Sequence, residues 1–133
     1  MSTFSRFEDI EAWQKSRVLA NLIFNITKKT EFDSDRKLRG QMNASSGSIM
    51  DNIAEGQGRG GNKEFVQFLW ISKGSSTELR SQLYRCFDRK WIDKITFDEL
   101  FTQAETIEKM IQGLISYLQK SENKGIKYKN RKN

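Results

Sequence analysis

A glycine-rich run at residues 56–61, GQGRGG, matches the G-x-G-x-x-G spacing with which nucleotide-binding proteins hold a pyrophosphate. That fingerprint needs a strand before it, because the phosphate sits where a helix opens behind a strand in a βαβ unit. Here a helical pattern precedes the run, and no Gly-Lys-Ser/Thr follows to complete a P-loop. We therefore interpret Gly56 as a helix C-cap that leads into a flexible turn. One phosphate-binding hypothesis stays open, in which Arg59, Lys63 and the N–H groups opening the next helix hold a phosphate of RNA.

Metal and acid–base chemistry lack the partners they need. Asp51 and Glu55 are four residues apart and share a helix face, as paired acids do in di-metal helical bundles. Those metal sites also use Glu-x-x-His pairs, and this chain contains no histidine. We instead interpret Glu55 and Glu78 as hydrogen-bond acceptors between helices. We expect no metal site and no cofactor, although an ordered metal among the acids of the second and third helices would revive an enzymatic hypothesis.

The sequence does not support nucleophilic catalysis either. Cys86, the one cysteine, falls on an apolar helix line and has no evident basic activator. Five serines lack a base to activate them and are interpreted as small residues that let helices approach closely, namely Ser45, Ser48, Ser72, Ser75 and Ser76. We therefore expect that the protein is not an enzyme and has no catalytic residues.

Positive charge is concentrated at the C-terminal end of the chain. Residues 120–133 hold one acid, Glu122, and six basic residues, namely Lys120, Lys124, Lys127, Lys129, Arg131 and Lys132. Their net charge is +5, whereas residues 1–119 carry 17 basic and 16 acidic side chains. This composition predicts a basic, flexible tail over residues 122–133 after a folded domain over residues 1–121. Such a tail is either a solvated end or a contact for nucleic-acid phosphates.

A second group of basic residues lies on the predicted third helix. Lys73 and Arg80 are seven residues apart and therefore share one helix face, and Arg85 and Arg89 follow them. Two interpretations stay open for them. They are either solvated side chains with acidic neighbours such as Glu78 and Asp88, or a further contact with nucleic acid.

The elements that must position these residues are helices. The chain has 133 residues, the size of one domain, with 36% hydrophobic residues and no proline, which would break helix interiors. No apolar run is long enough for a membrane span or a secretory signal, and a single cysteine excludes an internal disulfide. We therefore expect an all-α protein of the cytoplasm that does not partner with a membrane.

Periodicity and capping residues predict four helices. The first covers about residues 8–29, and the second follows an N-cap at Ser34 or Asp35 and runs to about residue 55. The third opens at the N-cap Asn62, and the fourth follows a capping box of Thr96 and Glu99. Short connections favour an antiparallel up-down-up-down four-helix bundle.

The spacing of apolar and small residues also predicts which side of each helix faces the core. In the first helix the apolar residues are Ile10, Trp13, Ala20, Ile23, Phe24 and Ile26. The second helix has Leu38, Met42, Ser45, Ile49 and either Asn52 or Ile53. The third has Phe65, Phe68 or Leu69, Ser72, Ser76, Leu79, Leu83 and Cys86. The fourth follows a heptad pattern through Phe97, Leu100, Ala104, Ile107, Ile111, Leu114 and Leu118.

The third helix carries more apolar residues than one buried stripe can hold. Six of the seven residues from Phe65 to Ile71 are apolar, so they point in every direction around the helix axis. The excess predicts a second buried surface and hence self-association, with Val66 and Trp70 as the outward anchors.

Four segments resemble a known family: FEDIEAW at residues 7–13, SIMDNIAEG at 48–56, EFVQFL at 64–69 and GSSTEL at 74–79. On these segments the chain resembles, over residues 7–118, the bacterial four-helix-bundle proteins of the intervening-sequence (IVS) family. Some members are encoded within insertions in 23S ribosomal RNA genes. The resemblance implies an antiparallel bundle that assembles as a homopentameric ring. A structurally related protein, the accessory variability determinant of diversity-generating retroelements, is a basic pentameric barrel that binds RNA and a reverse transcriptase.

The same resemblance marks a polar signature in this chain, expected to serve hydrogen bonding between helices and turn formation: Ser48, Asn52, Glu55, Gly56, Glu78 and Leu79. The chain departs from the family at one place. Many members carry basic residues just after a glutamine of the second helix, whereas Met42 and Asn43 follow Gln41 here. The departure weakens the case for a basic face on the second helix and shifts it to the tail.

Two functional hypotheses follow. In the first, the protein is a non-enzymatic accessory protein that binds RNA or DNA, assembled as a ring whose basic tails contact phosphates. In the second, the ring is a scaffold that recruits a protein partner and does not bind nucleic acid.

Overall fold

In a computed structural model of the chain, the structure describes the backbone of residues 4–132 and the side chains of residues 4–122. The helices are α1 (Glu11–Ile26), α2 (Arg36–Gly58), α3 (Asn62–Asp88) and α4 (Lys94–Lys132). Short 3-10 helices at Phe7–Asp9 and Thr30–Ser34 precede α1 and α2. No strand occurs within the described range.

The helices form an antiparallel four-helix bundle, which confirms the predicted fold. Each helix packs on its two neighbours, in the cyclic order α1, α2, α3, α4. The Ser72 hydroxyl donates to the carbonyl oxygen of Ile49 at 2.7 Å, and the Cys86 sulfur contacts that of Met42 at 3.4 Å. Since the residue number rises along α3 as it falls along α2, the two helices run in opposite directions.

The predicted core lines of α2 and α3 are confirmed. Of the alternatives left open, the buried residue in α2 is Ile53 rather than Asn52, and the buried residue in α3 is Leu69 rather than Phe68. Asp35 is the N-cap of α2, because its side chain accepts a hydrogen bond from the Leu38 N–H at 2.9 Å. In α1, Ile23 is buried as predicted. Phe24, which was also predicted to face the core, is exposed, and Ala12, Ser16 and Leu19 are buried.

The prediction that Gly56 is a helix C-cap is wrong. Gly56 is a buried residue inside α2, and a Cβ atom there would lie 2.8 Å from the Cβ of Phe68 and 3.0 Å from a ring carbon of Phe65. Its missing side chain lets α2 and α3 approach closely. The left-handed residue after α2 is Gly60, with φ +86°. The N-cap of α3 is Gly61 rather than Asn62.

The start of α4 differs from the prediction. Asp93 caps the helix, because its carboxylate accepts the Thr96 N–H at 2.8 Å, so α4 begins at Lys94 rather than after a capping box at Thr96. Its core line follows the prediction to Ile111 and then passes through Ile115 instead of Leu114. The helical backbone of α4 continues to Lys132.

Candidate nucleic-acid interface

The basic tail begins where α4 leaves the bundle. Among the α4 residues whose side chains are described, Leu118 is the last buried one, and Lys120 is exposed one half-turn beyond it. The other five predicted contacts lie outside the residues whose side chains are described: Lys124, Lys127, Lys129, Arg131 and Lys132. The flexible tail over residues 122–133 therefore stays a prediction.

Arg59 and Lys63 flank the turn between α2 and α3, at the same end of the bundle. Arg59 donates to the Glu55 carboxylate at 2.8 Å, and its guanidinium lies 5.0 Å from the Phe68 ring centre. Lys63 is exposed and makes no ion pair with a described residue. Glu64 occupies the first turn of α3, where its negative charge competes with any anion at the helix N-terminus. Of the two proposed phosphate-binding side chains, Arg59 is engaged and Lys63 is not.

Lys73 and Arg80 bind across the α3–α4 contact. The Lys73 ammonium donates to the Gln112 amide oxygen at 2.7 Å and lies 5.0 Å from the Trp70 ring centre. The Arg80 guanidinium donates to both Glu108 carboxylate oxygens, at 3.0 and 3.2 Å. Both side chains of that ion pair are mostly buried, with exposures of 25% and 18%. Arg80 therefore has a structural partner, and its predicted role in nucleic-acid binding has no support in its contacts.

The family-signature residues divide into two groups. The Ser48 and Ser75 hydroxyls are hydrogen-bonded at 2.8 Å across α2 and α3, as predicted for Ser48, whereas the Asn52 amide donates to Ser48 within α2. Glu55 and Glu78 do not bridge helices, however, since each accepts from a residue four positions along its own helix, Arg59 and Gln82 respectively. Leu79 is a core residue, and Gly56 serves helix contact rather than turn formation.

The predicted outward anchors differ in exposure. Trp70 is 46% exposed and its neighbour Ile71 is 52% exposed, so both are apolar side chains on the outside of α3. Val66 is partly buried against the core instead. The outward apolar surface of α3 is therefore centred on Trp70 and Ile71.

A cluster of basic residues lies at the opposite end of the bundle and combines Arg85 and Arg89 with residues of the α1–α2 connection that were not predicted as contacts. There the α1–α2 and α3–α4 connections pack together, with the Phe32 and Trp91 rings 4.9 Å apart and Arg89 bonded to Asp35 at 2.8 Å. We call the surface of residues 28–39 and 85–94 the basic end. Its sequence contains nine basic and five acidic residues, a net charge of +4. The basic end could have been predicted from the sequence, because the predicted antiparallel topology places these two connections at one end of the bundle.

The ion pair at the centre of the basic end also affects protonation. The hydrogen bond from Arg89, followed by that from the Leu38 N–H, holds the pKa of Asp35 below its ordinary value. Nearby, burial raises the pKa of the Cys86 thiol to about 11, so the thiol stays protonated at neutral pH. Cys86 is therefore a core residue without the chemistry of a nucleophile.

Metal and membrane features can be assessed for the described part of the chain. No group of three or more cysteine, aspartate or glutamate side chains there is placed to hold a metal ion. No described helix is both long enough and apolar enough to cross a membrane.

Comparison with known proteins gives the family. A search of curated protein sequences found no match. The fold is similar to a crystal structure from Bacteroides thetaiotaomicron of a protein of unknown function from the S23 ribosomal protein family, with a TM-score of 0.70. The match covers 79% of this chain and 95% of that one at 21% identity. The family model of the 23S rRNA-intervening sequence protein matches residues 8–113, so the chain belongs to the 23S rRNA-intervening sequence protein family.

Proposed function

We propose that the protein is a non-enzymatic nucleic-acid-binding accessory protein of the cytoplasm, with RNA as its ligand. In this proposal several copies form a ring, a pentamer by the family resemblance, and the basic tails contact phosphates. Family membership supports an association with ribosomal RNA genes, and neither the family description nor the similar structure names a reaction.

The main support for the proposal is the length of α4. The helix continues 14 residues past Leu118, about 21 Å at 1.5 Å per residue. From Lys120 onward this segment contains six basic residues, which it carries beyond the bundle.

The bundle end beneath the tail does not supply positive charge of its own. Residues 4–11, 55–64 and 118–122 together hold four basic and six acidic residues, a net charge of −2. Attraction of phosphates to this end must therefore come from residues 123–133, which carry five basic residues and no acid.

The outer surface of α3 supports self-association. Trp70 and Ile71 are adjacent, and each leaves about half of a large apolar side chain in water. Clustered exposed apolar residues of this size mark protein–protein contacts more often than isolated ones do. A second copy that covers them would bring several tails together and raise the affinity for one nucleic-acid strand.

The test compares the full-length protein with a version that ends at Ser121. Binding to a fluorescent 20-nucleotide poly(U) RNA is measured by anisotropy at several salt concentrations, with light scattering on the same samples. We expect salt-sensitive binding by the full-length oligomer and its loss on truncation. Absence of binding at low salt by a well-formed oligomer would contradict the proposal and favour the protein-scaffold hypothesis.

A further inference from the structure

We infer that the basic end is a second nucleic-acid contact, which binds the phosphates of a single strand at the end of the bundle opposite the tail. The inference rests on the proposed function and specifies where the folded body meets the ligand.

Four of the five acidic side chains of the basic end are engaged within the fold. Asp35 binds Arg89, and Asp33 binds Arg39 at 2.7 Å. Glu31 accepts from the Thr30 hydroxyl at 3.1 Å, and Asp93 caps α4. Only Asp88 has no such bond within the described residues. Bonded carboxylates keep their charge, but the nine basic and five acidic residues of the basic end leave a net charge of +4, which attracts a phosphate.

Three basic side chains of the basic end are left without an ion pair, a hydrogen bond or a ring contact to any described residue. They are Arg36, Lys37 and Lys90, and all three are exposed. Arg36 follows Asp35 in the chain and Lys90 follows Arg89, and the side chains of Asp35 and Arg89 are bonded at 2.8 Å between the two connections. Free cations from two distant segments therefore share one surface.

Aromatic rings lie beside two other basic residues of the basic end, Arg89 and Lys28. The Arg89 guanidinium lies 4.9 Å from the centre of the partly buried Trp91 ring, and the Lys28 ammonium lies 4.4 Å from that of Phe24, which is 52% exposed. Cations beside exposed rings are the composition of surfaces that bind single-stranded nucleic acid, where rings stack on bases and cations meet phosphates. This combination favours a nucleic-acid strand over an acidic protein as the ligand.

The test uses the full-length protein and two triple variants with the same change in charge. The first carries Arg36→Gln, Lys37→Gln and Lys90→Gln at the basic end. The matched control carries Lys15→Gln, Arg17→Gln and Lys109→Gln, which are exposed positions on the sides of α1 and α4. The affinity for the labelled 20-nucleotide poly(U) RNA is measured across a salt series, with polyglutamate as a competitor.

We expect the basic-end variant to bind at least about tenfold more weakly at 0.1 M salt, with a salt slope reduced by about 2, since each lost phosphate contact removes ~0.7. The control variant should retain its affinity within about twofold. Equal weakening of both variants, or equal competition by polyglutamate at matched charge, would overturn this inference. Absence of binding by the unmodified protein would instead overturn the proposed function itself.

Discussion

Gly56 of α2 lies against Phe68 of α3, where a Cβ atom on Gly56 would be 2.8 Å from the Cβ of Phe68. That distance is too short for two carbon atoms, and both belong to the helices rather than to flexible side-chain ends. The spacing of the two helices therefore depends on glycine at this position.

We predict that Gly56→Ala lowers the free energy of unfolding by about 1–3 kcal/mol, the usual cost of overpacking a core. The matched control is Gly40→Ala, also inside α2, where a Cβ would meet no atom within 4 Å. That change should raise stability by up to about 1 kcal/mol, because alanine favours a helix over glycine. Urea unfolding measures both variants, and an equal gain for the two would refute the close-contact role of Gly56.

Lys90 ends α3 in a conformation that suits glycine better than lysine. The φ angle of Lys90 is +62°. The Lys90 N–H donates to the Phe87 carbonyl oxygen at 2.9 Å, and the Trp91 N–H donates to the Cys86 carbonyl oxygen at 3.0 Å. These two bonds form a Schellman motif. We predict that Lys90→Gly raises the free energy of unfolding by about 0.5–1 kcal/mol. Lys109→Gly inside α4 should instead cost about 1 kcal/mol. Thermal unfolding distinguishes the two, and destabilisation by Lys90→Gly would contradict the left-handed geometry.

The pair of Arg80 and Glu108 should affect stability rather than nucleic-acid binding. Removing the carboxylate in Glu108→Ala leaves the mostly buried Arg80 guanidinium without its partner, at a cost of about 1–3 kcal/mol. The Arg80→Gln variant should also be less stable, yet keep the salt dependence of RNA binding unchanged. A reduced salt slope in Arg80→Gln would show that Arg80 does contact phosphate.

Asp35 should make stability depend on acid pH. Because its pKa is lower in the folded protein than its ordinary value of 3.8, the unfolded chain takes up the proton first as the pH falls. The contribution is fully present above the ordinary pKa and is lost as the pH falls through the lowered one. Asp35→Asn keeps an N-cap residue but removes the charge. We predict a stability deficit for this variant at pH 7 that narrows below about pH 4, as measured by urea unfolding; a deficit independent of pH would contradict the Asp35–Arg89 pairing.

Local chemistry explains which helix limits could be predicted. Asp35 was predicted as one of two N-caps because a short polar side chain before an apolar period is a signal within a few residues. The same rule was wrong at Thr96, since Asp93 offers a second cap three residues earlier and the helix gains a turn by using it. Two overlapping cap signals cannot be ranked without the packing that follows them.

Helix geometry explains the shift from Leu114 to Ile115. A strict heptad assumes 3.5 residues per turn, whereas a straight helix has 3.6 and drifts about 20° per heptad. After two heptads from Phe97 the drift brings Ile115 into the core in place of Leu114. The predicted line is therefore correct from Phe97 to Ile111 and again at Leu118, and it is wrong at Leu114.

The candidate site was harder to predict than the fold. Arg36 and Lys90 are more than fifty residues apart in sequence, and only the packing of the two connections brings their segments together. Gly56 was misassigned because glycine suits both a helix end and a close contact between helices, and the sequence does not distinguish these uses.

The salt dependence of RNA binding shows directly whether the basic tail contacts nucleic-acid phosphates. Truncation after Ser121 removes five basic residues, and each phosphate contact to single-stranded RNA contributes about 0.7 to the slope of log K against log salt. We predict that the slope of the full-length protein is steeper than that of the truncated protein by about 3.5 if all five make contact. Equal slopes for the two proteins, at the same oligomeric state, would contradict a nucleic-acid-binding tail.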